Sequence, residues 1–257
     1  MGGSATSRRG RDRRGAHRDA SRVREGRRNV IVQRVVGPLA SSYLIRRGNA
    51  VVLVDAGYVG HGGLVRLALR SHGLGVDAVR CAIVTHGHAD HFGGLAELRA
   101  RAEFPVLAHP EHAPAVEDGL QLVSPGISLW GRTYGHIARA SLPWLSLPRG
   151  GAVTPTEDGG RLDEYGLPAT VLHTPGHSDG CVSVLLDNGS AFVGDLIQGP
   201  RMPGMSVGLP AMAIDADAAV TSWHRLLDLG ATRFYPAHGL AFSANALRVA
   251  TERPRPT

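Results

Sequence analysis

Residues 85–94 read THGHADHFGG, directly after the apolar run CAIV. His86, His88, Asp90 and His91 thus crowd three imidazoles and a carboxylate into six residues. Such a group has no packing role in a core, because buried polar groups need hydrogen-bond partners. Its chemistry is that of a metal site. A divalent ion needs several lone-pair donors converging on one point, for zinc usually neutral imidazole and carboxylate. Four neighbours in sequence leave such a site incomplete, so the chain must fold to bring further donors to the same place. The natural platform is a set of loops at the ends of adjacent strands, fixed by a rigid sheet and open to substrate.

The surrounding pattern fits that platform. VIVQRVV (30–36), SSYLIRRG (41–48) and AVVLVDAG (50–57) are short, β-branched and bounded by Gly, Pro or Asn, which predicts strands. GLVRLALRSHG (63–73) has apolar residues at helical spacing and ends on Gly. CAIVTH (81–86) reads as a buried strand, GGLAELRARAE (93–103) as a helix and PVLAHP (105–110) as another strand. This alternation predicts a layered α/β architecture.

Residues 111–150 interrupt it. They are rich in Leu, Gly, Pro and aromatics, and no clean helical period survives their Pro and Gly residues. An inserted lid and ordinary core helices fit this stretch equally well; His136 and Tyr134 within it are candidates for substrate contact. Strands resume with ATVLHTPG (169–176), CVSVLLD (181–187) and SAFVGD (190–195), the last two joined by the hairpin signal Asn188-Gly189. IDADAAVTSWHRLLDLG (214–230) reads as a helix opened by Asp215 or Asp217 and closed by Gly230. TRFYPAHG (232–239) is the final strand and SANALRVATE (243–252) the final helix. The order β-rich, α/β, β-rich, α/β suits two similar halves packed face to face.

Charge sorts by region. Residues 1–28 hold ten Arg against Asp12, Asp19 and Glu25, a net of +7. The whole chain is +6, so residues 29–257 sum to −1. The first 28 residues have almost no apolar content and are expected to form a disordered Arg-rich tail, with 29–257 as a single folded domain. Because the body is near neutral, nucleic acid is not expected as a partner. The chain has no Lys at all, so its Arg content reads as coding bias. No apolar run approaches the ~18 residues of a membrane span. No apolar leader segment opens the chain, and the expected location is cytoplasmic. Cys81 and Cys181 sit in strand-like runs and read as buried free thiols.

The strand ends supply the missing donors. VLHTPGHSDG offers His177, AFVGD offers Asp195 and FYPAHG offers His238. With the 85–94 cluster this makes five imidazoles and two carboxylates, enough for two metals with a shared bridge. His109, His112 and His173 also lie near strand ends but fill no ligand slot, and hydrogen bonds or solvent are expected to satisfy them. No GxSxG elbow accompanies Ser178 or Ser183, which sets aside a serine nucleophile.

The ordered set HxHxDH, GH, GD and a late AHG resembles the metallo-β-lactamase-fold hydrolase superfamily, over residues of roughly 30 to 250. The resemblance implies a four-layer αββα sandwich, an α/β fold with the site at one edge between two sheets. It implies that His86, His88 and His177 bind one metal, that Asp90, His91 and His238 bind a second, and that Asp195 bridges them. VLVDAG is similar to the family's early strand-end motif, which implies that Asp55 orients a ligand imidazole. Two Zn2+ ions are the expected cofactors, with Fe or Mn as alternatives. The implied activity is attack by a metal-bridging hydroxide on the carbonyl of a small ester, lactone or thioester, with Asp90 moving a proton to the leaving group.

The superfamily is broad, so the fold does not choose the substrate. DLIQGPRMPGMSVGLPAMAID after Asp195 lacks the Gly-Cys-Gly loop and basic cluster of hydroxyacylglutathione hydrolases. A phosphodiesterase or nuclease, a β-lactamase and a mononuclear-iron sulfur dioxygenase are the alternative activities on the same site. The apolar stretches 120–147 and 199–212 are expected to frame an apolar pocket.

Overall fold

The computed structural model describes residues 30–141 and 147–252; the Arg-rich segment 1–28 lies outside them. In the first half, β1 (Val30–Val36), β2 (Ser41–Arg47) and β3 (Ala50–Val54) form an antiparallel meander. Helix α1 (Gly62–Arg70) then crosses to β4 (Val79–Ile83), which lies parallel to β3. Two short helices, α2 (Ala89–Phe92) and α3 (Leu95–Arg99), lead to β5 (Val106–Ala108), parallel to β4. Helix α4 (Ala113–Asp118) and helix α5 (Leu129–Ser141) follow, and β6 (Thr154–Pro155) closes a sheet in the order β1-β2-β3-β4-β5-β6.

The second half repeats the plan. Strands β7 (Gly160–Arg161), β8 (Ala169–His173), β9 (Val182–Leu186) and β10 (Ser190–Gly194) pair antiparallel. Helix α6 (Ala216–Asp228) crosses to β11 (Arg233–Pro236), parallel to β10; β12 (Phe242–Ser243) and helix α7 (Ala244–Thr251) end the chain. This sheet runs β12-β11-β10-β9-β8-β7.

Strand sequences explain the stacking. Continuous apolar runs mark strands covered on both faces, because successive side chains point to opposite sides. Tyr43, Ile45, Val52, Val54 and Ile83 meet Val182, Val184, Leu186 and Phe192 in a layer between the sheets. Their alternates Leu44, Val51, Leu53 and Ala82 pack outward with Val65 and Leu69 of α1 and Leu95 and Leu98 of α3. In the second sheet Leu185, Ala191 and Val193 pack outward with Trp223 and Leu226 of α6 and Leu247 of α7. Three apolar layers separate four structural ones, and the order is helix, sheet, sheet, helix. Cys81 and Cys181 are free and buried.

One expectation needs correction. The helix expected over 93–103 forms only at Leu95–Arg99, as α3, and a separate turn, α2, precedes it, so Asp90 and His91 stand on a helical turn of their own. Within 111–150, which the sequence left open, a full helix, α5, forms despite Gly131 and Gly135. Here glycine serves close packing: a Cβ at Gly131 would collide with the carbonyl oxygen of Ala211. The strands β6, β7 and β12, two residues each, are too short to leave a period in the sequence.

Candidate metal centre

Every predicted donor lies past the C-terminal end of a strand. Asp55 follows β3, His86 to His91 follow β4, His177 follows β8, Asp195 follows β10 and His238 follows β11. Because β3 and β4 are parallel, as are β10 and β11, those ends share one edge of each sheet. The sheets are tied together there: the Val182 amide donates to the Thr85 carbonyl at 2.9 Å, and the Ser41 amide to that of Ala237 at 3.0 Å. Close approach also fixes the residue before Asp195. Gly194 sits at φ +50, with Thr85 where a Cβ would stand.

The donors fall into two groups. His86, His88, His177 and Asp195 converge on one point, and Asp90, His91 and His238 on another. In the first, His86 Nε2 and His177 Nε2 stand 3.0 and 3.1 Å from His88 Nδ1. One imidazole nitrogen cannot satisfy two others, yet tetrahedral ligands at ~2.0–2.1 Å from zinc stand about 3.3 Å apart, close to this spacing. Asp195 faces both groups. Its Oδ2 lies 3.7 Å from His177 Nε2 and 3.2 Å from His238 Nε2, and its Oδ1 lies 3.4 Å from His91 Nε2. His91 Nε2 and Asp195 Oδ1 are buried without a hydrogen-bond partner. Orphaned lone pairs of this kind suit a cation, so the residues present fit a metal pair.

The other ring nitrogens are held by the fold. His91 Nδ1 lies 2.8 Å from Asp55 Oδ2, whose carboxylate also accepts from the Thr85 amide and hydroxyl at 2.8 and 2.9 Å. Asp55 adopts φ 57, a left-handed conformation that Asp tolerates, and this turn aims its carboxylate back at the β4 end. His177 Nδ1 donates to the Met212 carbonyl at 2.7 Å, and Ser124 Oγ lies 3.3 Å from His88 Nε2. The Gly87 amide donates to His112 Nδ1 at 3.2 Å. Thr85, His112, Ser124 and Met212 were not legible as site residues, since a hydroxyl or carbonyl partner leaves no spacing in the sequence. His173 stacks on His109 and hydrogen-bonds the Asp179 carbonyl, away from the donors. His136 does not join the site either: it lies on the exposed side of α5, and the side chain of Tyr134 lies outside the described residues.

The electrostatics of the two groups differ. Burial, then the neighbouring imidazoles, push His86 and His88 well below the usual histidine range, and burial lowers His177. All three favour the neutral, ligating form. Burial would lower His91 too, but Asp55, Asp195 and Asp90 outweigh it and raise His91 well above that range. Asp195 raises His238. Burial would raise Asp195 itself, yet His238 and His91 hold its carboxyl well below the ordinary range. The second group therefore stabilises positive charge, the charge that an ion would bring.

A cavity of about 430 Å3 opens above the donors. Leu122 and Val123 wall it before α5, Ala138 on α5 itself, and Pro210 and Met212 opposite; Gln198 and Arg201 add polar groups.

Comparison with known proteins places this architecture. Residues 36–238 match the family model described as the metallo-beta-lactamase superfamily. The "Probable metallo-hydrolase YflN" of Bacillus subtilis (strain 168) is 28% identical over 236 residues, covering 82% of this chain and 84% of that protein. A hydroxyacylglutathione hydrolase of Aeromonas salmonicida (strain A449) is 28% identical over 174 residues, 68% of this chain but only 53% of its own length. The crystal structure of TTHA1623 in a di-iron-bound form is 31% identical with a TM-score of 0.58, covering 83% of this chain and 95% of that one. Among the described residues no helix is long and apolar enough to cross a membrane.

Proposed function

The chain belongs to the metallo-beta-lactamase superfamily, and from that premise we propose that it is a dinuclear zinc hydrolase of small esters, lactones or thioesters, built as one domain with residues 111–150 as the lid over its cavity. His86, His88 and His177 hold one ion in this reading, Asp90, His91 and His238 the other, and Asp195 lies between them. When bound, such a pair supplies Lewis acidity and, by lowering the pKa of water to about 7, a nucleophile at neutral pH. The observation that carries the reading is Asp195, whose Oδ2 lies between His177 of one donor group at 3.7 Å and His238 of the other at 3.2 Å, while its Oδ1 lies 3.4 Å from His91.

The protein's own groups do the rest. Asp55 fixes the ring of His91 and Met212 that of His177, so each presents one nitrogen to the site. Asp90 faces the cavity with its side chain 23% exposed, and it is placed to hold a proton and deliver it to the leaving oxygen, sulfur or nitrogen. Leu122, Val123, Ala138 and Met212 exclude water from an apolar acyl group.

The test is a panel of lactones, thioesters, β-lactams and bis-aryl phosphodiesters on protein of measured metal content. About two zinc ions per chain and turnover of acyl substrates are expected. Iron is the second candidate, favoured by the di-iron relative. One iron per chain with oxygen consumption would overturn the reading. His86→Ala and Asp195→Ala should each abolish turnover, and full activity in a metal-replete variant would sink the assignment.

A further inference from the structure

Helix α5 leaves two large apolar side chains, Leu129 and Ile137, in water. Among the described side chains, its inward positions are small: Gly131 and Gly135 are buried, and Ala138 lines the cavity. Its outward stripe is Leu129, Arg132, Thr133, His136, Ile137 and Ala140, exposed residues at three- and four-residue spacing. Leu129 is 83% exposed and Ile137 65%. Arg201, at the same cavity, opens an exposed loop 201–206 in which Met202 is 64% and Met205 50% exposed. Large apolar groups left in water on both sides of one opening point to a missing partner.

Charge says which partner. No Asp or Glu occurs between residues 119 and 156 or between 196 and 214, and these segments carry Arg132, Arg139, Arg149 and Arg201. That is four Arg in a body, residues 29–257, that sums to −1. Arg149 pairs with Asp118 at 3.8 Å, whereas Arg132, Arg139 and Arg201 have no ion pair among the described residues. A second copy docking through this face would bring two Arg-bearing patches without Asp or Glu together, since a two-fold interface uses the same surface patch of both copies. A polynucleotide would engage the Arg but leave Leu129, Ile137 and the methionines without a role. We propose that α5 and loop 201–206 seat the protein on an anionic lipid surface, the Arg meeting headgroup phosphates, the apolar side chains entering the interface and the cavity facing the bilayer.

Binding can be read without turnover, so the proposal stands or falls apart from the hydrolase assignment. In the full chain, Ile137→Cys carries a polarity-sensitive fluorophore, and Leu67→Cys, 65% exposed on the outer helix α1, carries the same label as a control. Cys81 and Cys181 are buried and should stay unlabelled. With vesicles of phosphatidylglycerol and phosphatidylcholine, a blue shift at position 137 and none at 67 is expected, and neither site should respond to phosphatidylcholine alone. Arg132→Gln combined with Arg139→Gln should weaken co-sedimentation with the anionic vesicles about 25-fold, at about a fivefold change per Arg. An unchanged melting temperature shows that this variant is folded. Equal shifts at 137 and 67, or co-sedimentation unaffected by the two substitutions, would mean attachment through the ten Arg of residues 1–28 and would overturn the proposal. A concentration-dependent shift without vesicles would overturn it in favour of self-association.

Discussion

The carboxylate of Asp55 accepts two hydrogen bonds from Thr85 and meets His91 Nδ1, so one buried side chain orients both a strand end and a donor ring. Replacing it with alanine strands those partners at ~1–3 kcal/mol each and leaves at φ 57 a residue that tolerates the left-handed conformation less well than Asp. Asp55→Ala should therefore lose about 3–5 kcal/mol in urea denaturation. Asp55→Asn keeps an acceptor and tolerates the turn. It should lose much less stability while metal affinity, read by chelator competition, still falls about 10- to 100-fold. Equal stability of the two variants would remove Asp55 from this role. A second residue sets the pH response. Burial, then His109, lowers His112 to about 4, and its Nδ1 must be unprotonated to accept from the Gly87 amide. Its folded value lies below the ~6.5 of the unfolded chain, so the unfolded chain takes up a proton that the folded chain refuses. Stability is lost as pH falls from ~6.5 to about 4, at up to ~1.4 kcal/mol per pH unit. His112→Asn keeps an acceptor and does not titrate, so its melting temperature should fall less steeply across that window; parallel profiles would contradict this. The seven donors were legible because few side chains can ligate a metal. His112 and Thr85 were not, because they act through the backbone of others.

At the level of elements, the sequence reading succeeded where one face or two faces of a segment are apolar throughout. The helix expected over 214–230 forms at Ala216–Asp228 with Asp215 as its cap, accepting from the Asp217 and Ala218 amides. It left α5 open, because glycine breaks the helical period there while fitting the chain against Ala211. That contact carries a consequence for the site, since the Met212 carbonyl beside Ala211 holds His177. Gly→Ala inside a helix ordinarily stabilises by up to ~1 kcal/mol. Gly63 in α1 meets nothing within 4 Å of a Cβ, and Gly63→Ala should follow that rule. Gly131→Ala should reverse it, lowering the melting temperature and weakening metal binding as the 211–212 backbone is displaced. If both variants gain stability, α5 does not pack as described.

Across the whole molecule, the two halves meet in an apolar layer, and at their polar edge the donors join two backbone hydrogen bonds, Val182 to Thr85 and Ser41 to Ala237. His86, His88, Asp90 and His91 belong to the first half, and His177, Asp195 and His238 to the second. The sequence order hinted at this division, while the facing of the halves depends on contacts such as Val182 with Thr85, about a hundred residues apart, which no local pattern encodes. Each donor group draws on both halves, so bound ions would act as staples across the seam. Free metal at a thousandfold over Kd contributes about 4 kcal/mol. For a domain of this size that corresponds to a melting shift of roughly 8–16 °C. Chelation should therefore lower the melting temperature by about that much. It should also raise amide hydrogen exchange first in the loops at 174–181 and 195–200, whose donors face the other half. The amides of β2 and β9, inside the apolar layer, should stay protected, because their burial does not depend on the ions. Uniform loss of protection would mean that the ions support folding of both halves alike, and an unchanged melting temperature would mean that no ion spans the seam.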